Sequence, residues 1–166
     1  VVKNVTGYDV QKLYTGSLGT LAVIAEISLK LRAKYARTAT SIAPFADFET
    51  AATGVAAVRR SALQPVSCEW VGPENEIWLR FGEDPRAVDW QLKNLPAVAG
   101  WKILEGPDET QAWAGLRTRY NALGPIVLRV VGLPTAVHEI IREYRPAAWV
   151  AHALNGIVLL QISSAG

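Results

Sequence analysis

The residues best suited to chemistry crowd into the first part of the chain, and what they offer is backbone. Gly16 and Gly19 flank Ser17-Leu18, and Thr20 follows. Without a Cβ, the glycines let the main chain approach a ligand closely, and the amides of a tight turn can face an anion. Val23 and Ile24 stand where an adjoining strand edge would offer main-chain groups. The same glycines also suit a helix C-cap and a plain turn, so the local pattern leaves both readings open. Elsewhere the reactive types are scattered. His138 and His152 have no cysteine or carboxylate at ligand spacing, and Cys68 has no foreseeable cationic neighbour, so neither a metal ligand nor a nucleophile is assigned. No His, Arg or Tyr constellation that would hold a carboxylate and deprotonate a hydroxyl can be placed by motif, and the catalytic residues stay unassigned.

Composition narrows the classes open to the chain. Its 166 residues carry 17 Lys+Arg against 15 Asp+Glu, half are apolar, and the mean hydropathy is +0.15. That is a globular profile and excludes disorder and fibre. A formal charge of +2, with Arg59-Arg60 as the longest like-charge cluster, gives nucleic acid no stripe to follow. Six tryptophans in a chain without methionine read mainly as packing mass, although Trp70, Trp78 and Trp149 fall on hairpins and would also suit a partner surface. Residues 146–166 carry no formal charge, but Pro146, His152, Asn155-Gly156 and Gln161 interrupt them, so two short strands are expected and no transmembrane segment. The start at Val1-Val2-Lys3-Asn4 and the lack of methionine suggest a piece of a longer protein.

The elements that must position these residues follow from periodicity. Asp9 can cap a short helix through Val10, Leu13 and Tyr14, closed by Gly16. From Leu21 to Arg32 apolar and polar residues alternate, which predicts a half-buried strand. After Tyr35 a repeat of about 85 residues emerges from turn and helix signals. A strand near 37–45 precedes a helix starting at Asp47. A hairpin has arms 66–71 and 76–81, with its turn at Gly72-Pro73-Glu74-Asn75. Asp84-Pro85 then opens a second helix, and 101–105 forms a closing strand, giving βαββαβ. A linking helix is expected from Asp108 with an Asp-x-x-Gln111 capping box. The second copy has a strand at 126–131, a helix at 134–145 and a hairpin turning at Asn155-Gly156 with both residues at positive φ, and it stops short of a fourth strand. The expected fold is α+β, with duplicated ferredoxin-like units, the second incomplete, and helices on one side of an antiparallel sheet.

Lys3-Asn4-Val5-Thr6-Gly7-Tyr8-Asp9, Lys12-Leu13, Gly16-Ser17, Gly19-Thr20-Leu21, Val23-Ile24 and Glu26 stand in one gapless order. They resemble the end of the FAD-binding domain of the FAD-linked oxidases, the vanillyl-alcohol oxidase type of flavoprotein. Within that family the chain is most similar to the FAD-binding subunit of bacterial glycolate oxidase, on Leu18 and the Cys68-Glu69-Trp70 hairpin. Ala22 departs from the family's usual glycine. The resemblance implies that residues 1–34 end an FAD-binding domain and that 35–166 form a truncated cap domain. It implies that Gly7, Tyr8, Gly16, Ser17, Gly19, Thr20, Val23 and Ile24 contact FAD. It further implies an oxidoreductase acting on a small 2-hydroxy acid such as glycolate, partnered by a second flavoprotein subunit and an iron-sulfur subunit. Such a protein is expected in the cytoplasm, peripheral to the inner membrane through its partners. The family's pyrophosphate loop belongs to sequence ahead of this segment, so the chain by itself is expected to be inactive and not to retain FAD. The alternative expectation is a non-catalytic assembly module of such a complex.

Overall fold

The computed structural model describes residues 10–31, 33–98, 100–124 and 126–162, in two compact units, 1–34 and 35–166. In the first unit, helix α1 spans Val10–Tyr14 and stops at Gly16, whose φ of 86° is the left-handed conformation that ends a helix. Its expected cap, Asp9, lies outside the described residues. The strand expected from Leu21 onward is not formed. Residues 21–31 pair with no strand among the described residues, and Val23 and Leu31 are 92% and 82% exposed. Alternation only sorts side chains onto two faces. A strand also needs a neighbour to take its N–H and C=O groups, and the described residues supply none.

The second unit runs β1 (Arg37–Pro44), α2 (Phe48–Arg60), β2 (Ser67–Gly72), β3 (Glu76–Glu83), α3 (Pro85–Lys93), β4 (Lys102–Leu104), α4 (Gly106–Asn121), β5 (Val127–Val131), α5 (Val137–Tyr144), β6 (Trp149–His152) and β7 (Ile157–Gln161). The strands form a single antiparallel sheet in the order β4-β1-β3-β2-β6-β7-β5. Read outward from its centre, the order is β2-β3-β1 on one side and β6-β7-β5 on the other. These are two copies of one topology joined by antiparallel pairing of β2 with β6, Trp70 opposite Ala151 and Gly72 opposite Trp149. The first copy ends in β4, and among the described residues β5 has no counterpart beyond it.

Local signals place the helices. Asp47 caps α2, accepting from the Thr50 amide at 2.8 Å in a capping box, and Asp84 caps α3, with Pro85 supplying the first turn. α4 starts at Gly106 on Glu105 without a side-chain cap, so the capping box expected at Asp108 does not form. Asp108 lies inside the first turn. Residues Pro134–Ala136 make a 3₁₀ turn before α5. In the β6–β7 hairpin only Gly156 has positive φ, because Ala153 to Gly156 form a four-residue turn and not the two-residue turn expected.

Both faces of the sheet are covered, where helices on a single face were expected. Ile77, Leu79 and Phe81 of β3, Trp70 of β2 and Val158 and Leu160 of β7 pack under α2, α3 and α5 in the larger core. Each such side chain, fully buried, contributes about 1.5–3 kcal/mol relative to exposure. On the opposite face Val71, Trp78 and Val150 pack with Leu116 and Leu123 of the α4 region. Two-sided burial explains why β2 is buried from Cys68 to Gly72 and does not alternate. Gly72 is required at this centre, since a Cβ there would lie 2.1 Å from the Trp149 ring.

Candidate functional site

The glycine-rich segment forms a tight turn. The Thr20 amide donates to the Ser17 carbonyl at 3.0 Å and the Thr20 hydroxyl to the same oxygen at 2.7 Å. Leu18 and Gly19, the central residues, have φ of 51° and 80°, the positive pair that a type I′ turn requires. For Leu18 this conformation costs on the order of 1–2 kcal/mol, and its side chain is 96% exposed, so no packing offsets it. Space around Gly16 and Gly19 is open, with no atom within 4 Å of where a Cβ would sit. The main chain at Gly16 and Gly19 is therefore open to approach, while the Ser17 amide donates to the Tyr14 carbonyl and the Thr20 amide is held within the turn. Val23 and Ile24 follow in a stretch that joins no ladder among the described residues. Gly7 and Tyr8 lie outside the described residues.

A turn with open glycines, followed by a stretch that joins no ladder among the described residues, is compatible with a ligand held by backbone groups. Among the described residues no group of three or more His, Cys, Asp or Glu is placed to hold a metal, and no helix is long and apolar enough to cross a membrane.

A second set of chemically capable residues, invisible to motif reading, lies on the α4 face of the sheet. Glu69 of β2 is 3% exposed at its side chain, and His152 of β6 sets Nδ1 2.9 Å and 3.0 Å from its two carboxylate oxygens. Tyr120 of α4 donates to Glu69 at 2.8 Å, Ser67 also hydrogen-bonds the carboxylate, and the Tyr120 and His152 rings stack at 5.9 Å. The carboxylate hydrogen bond raises the His152 pKa above its ordinary value, against opposition from burial and from Arg129. Burial, then the Glu69 charge, pushes the Tyr120 phenol up as well. The adjoining cavity of about 50 Å³ has room for water but not for an organic substrate. The cluster joins α4 to the seam between the two halves.

A second buried carboxylate, Glu109 of α4, accepts from Thr40 at 2.9 Å, Thr38 at 2.5 Å and Arg80 Nε at 2.8 Å. Cys68 is a 4%-exposed core residue whose thiol pKa is raised by burial. His138 of α5 is half-buried, facing a cavity between α2 and α5.

No protein-family model matches the chain. Two curated proteins of Mycobacterium tuberculosis, from the strains CDC 1551 / Oshkosh and ATCC 25618 / H37Rv, are each described as an uncharacterized FAD-linked oxidoreductase. Each is 38% identical to this chain over 133 residues, taking in 61% of this chain and 29% of its own length. The chain thus spans less than a third of the curated relatives it matches. The likeness supports the FAD-linked oxidoreductase family that residues 3–26 suggest, at that general level. Neither description specifies a substrate, and neither reaches as far as a glycolate oxidase subunit.

Proposed function

We propose that this chain is part of an FAD-dependent oxidoreductase subunit, with residues 1–34 closing the FAD-binding domain and 35–166 forming its cap domain. The single observation that carries the reading is the Ser17–Thr20 turn, with two successive left-handed residues and open space at both glycines. A left-handed leucine with an exposed side chain does nothing for packing. It is the kind of strain that persists where the backbone must present its amides in one direction.

In this reading the main chain of Gly16, Ser17, Gly19 and Thr20 faces the dinucleotide, and Val23 and Ile24 hold it through their backbone groups. Gly7 and Tyr8 stand beside the flavin, as the resemblance implies. When FAD is bound, the chemistry it supplies is acceptance of a hydride equivalent from the substrate α-carbon. The substrate is a small 2-hydroxy acid of the glycolate type. As the resemblance implies, electrons leave through partners, a second flavoprotein subunit and an iron-sulfur subunit, and the single cysteine of this chain offers no ligand set for a cluster of its own. The complex works in the cytoplasm and touches the inner membrane only through those partners.

The rival reading, an assembly module with no flavin role, draws on the Glu69–His152–Tyr120 cluster, whose groups join α4 to the sheet and leave no space for substrate. A visible absorbance spectrum of the whole parent subunit, purified alone and then with its partners, separates the two. Stoichiometric flavin in the isolated subunit is the expected result. A subunit colourless in both preparations would overturn the proposal.

A further inference from the structure

On the face of the sheet away from α4, the two equivalent helices α2 and α5 do not close against each other. A cavity of about 290 Å³ remains between them, at the seam where the two halves of the sheet meet. Its walls carry Arg59 and Arg60 from the end of α2, Arg142 and His138 from α5, and Glu49 from the start of α2. Trp70 forms part of its floor. Three guanidinium groups against one carboxylate leave the rim with a net charge of +2 when His138 is neutral.

These arginines are only partly engaged. Arg142 pairs with Glu49 at 2.6 Å, and Arg59 donates to the Pro134 carbonyl at 3.2 Å. Arg60 forms no hydrogen bond or ion pair with any described residue. Arginine also stays protonated throughout the physiological range and offers several donors in a planar fork matched to carboxylate and phosphate oxygens. A second observation concerns the floor. The Trp70 indole N–H is buried, in a residue 1% exposed, and has no acceptor among the described residues. A buried donor without a partner costs about 1–3 kcal/mol, and an acceptor arriving from the cavity removes that cost.

We propose that this cavity binds a small organic dianion, a dicarboxylate or a phosphomonoester, with its anionic group between Arg60 and Arg142 and an acceptor oxygen towards the Trp70 indole. The volume limits the ligand to a small molecule, near the lower end of ordinary ligand sites. The +2 rim selects two negative charges over one. Binding here bridges α2 to α5 across the seam and needs no flavin, so the inference stands apart from the function proposed above.

The test is calorimetric titration of the full chain with succinate and, separately, with inorganic phosphate, at ionic strength held constant with sodium chloride and with tryptophan emission followed in parallel. Saturable one-site binding of either probe is expected. Arg60→Gln should weaken it about tenfold or more, the scale of one charge-assisted hydrogen bond. Trp70→Phe should diminish both binding and the emission change. Arg60 is exposed and has no partner among the described residues, so its variant keeps the fold, and far-ultraviolet circular dichroism verifies this for both variants. Absence of saturable binding of both probes overturns the proposal. Binding that Arg60→Gln leaves unchanged overturns it equally.

Discussion

Glu69 and His152 stand directly opposite each other in the β2–β6 ladder, and their side chains meet on the α4 face, with Nδ1 2.9 Å from one carboxylate oxygen. The two residues come from different halves of the repeat. Their contact therefore links the charge state of one histidine to the seam of the whole sheet.

The first prediction is a pH dependence of stability. The folded-state pKa of His152 is raised above the ordinary value of 6.5, chiefly by its hydrogen bond to Glu69. The protonated histidine therefore stabilises the fold fully below about 6.5, and this contribution is lost as pH rises through the higher folded pKa. Glu69 from β2, Tyr120 from α4 and Arg129 from β5 are the groups that act on it. The effect is modest, because the His152 side chain is 36% exposed. Urea midpoints should fall between pH 6 and pH 8.5 in the wild type and fall less in His152→Gln. Equal slopes in the two proteins would contradict the assignment.

The second prediction concerns the other buried carboxylate. Glu109→Ala removes the acceptor for Thr38, Thr40 and Arg80 together and should destabilise by about 3 kcal/mol, since a charge and two hydroxyls lose their partner. Glu109→Gln keeps the shape and one acceptor and should cost less. Urea unfolding monitored by tryptophan emission gives both values, and Gln as damaging as Ala would show that charge, not hydrogen bonding, dominates the site.

A pair of glycines gives opposite expectations. At Gly156 a Cβ would meet the Gly132 carbonyl oxygen at 2.0 Å, and φ is 72°, so Gly156→Ala should lower stability by at least about 2 kcal/mol. Gly115 lies inside α4 with open space around it, so Gly115→Ala should raise stability by about 0.5–1 kcal/mol. Thermal unfolding of both variants distinguishes the two effects by sign.

The flavin reading makes its own prediction. FAD titrated into this chain alone should show no saturable quenching of flavin fluorescence at micromolar concentrations. A few backbone hydrogen bonds, each netting about 0.5–1.5 kcal/mol, do not offset an association cost on the order of 4–15 kcal/mol. In the whole parent subunit, Gly19→Val should lower flavin occupancy, because it adds a branched side chain at φ 80° where the backbone must be approached. Full flavin occupancy in that variant would move the contact elsewhere.

The elements legible in the sequence are those with local causes. Asp47 and Asp84-Pro85 announce their helices because a cap is chosen by residues two or three positions away. The repeat is legible for the same reason, its turns and helix starts recurring in order. Long-range contacts left no such mark. Tyr120 is 51 residues from Glu69, and His152 is 83 residues from it, so no spacing rule joins them. The placement of α4 on the far face was equally hidden, because Trp113 and Leu116 predict an apolar stripe without saying which side of a sheet will receive it. At Leu21 to Leu31 the opposite occurred: the local pattern is complete, and the partner that would make it a strand is absent among the described residues. Leu18 gave no warning of its positive φ, since leucine rarely adopts it.

The joining of the two halves through β2 and β6 also fixes an order of events as the chain emerges from the ribosome. Residues 37–104 contain every strand of the first half, with β1, β3 and β2 already adjacent, while β6 begins only at Trp149. Until then β2 presents a bare edge, with Trp70 and Val71 beside it, and nascent chains on neighbouring ribosomes can pair with one another there. α4, made between the halves, reaches Thr40 and Arg80 through Trp113 and Glu109 before the second half exists. It can shield the Val71 face of that edge during the wait. Arrested chains ending after Asn121 should therefore stay dispersed where chains ending after Leu104 aggregate, a difference that sedimentation of the released fragments would measure.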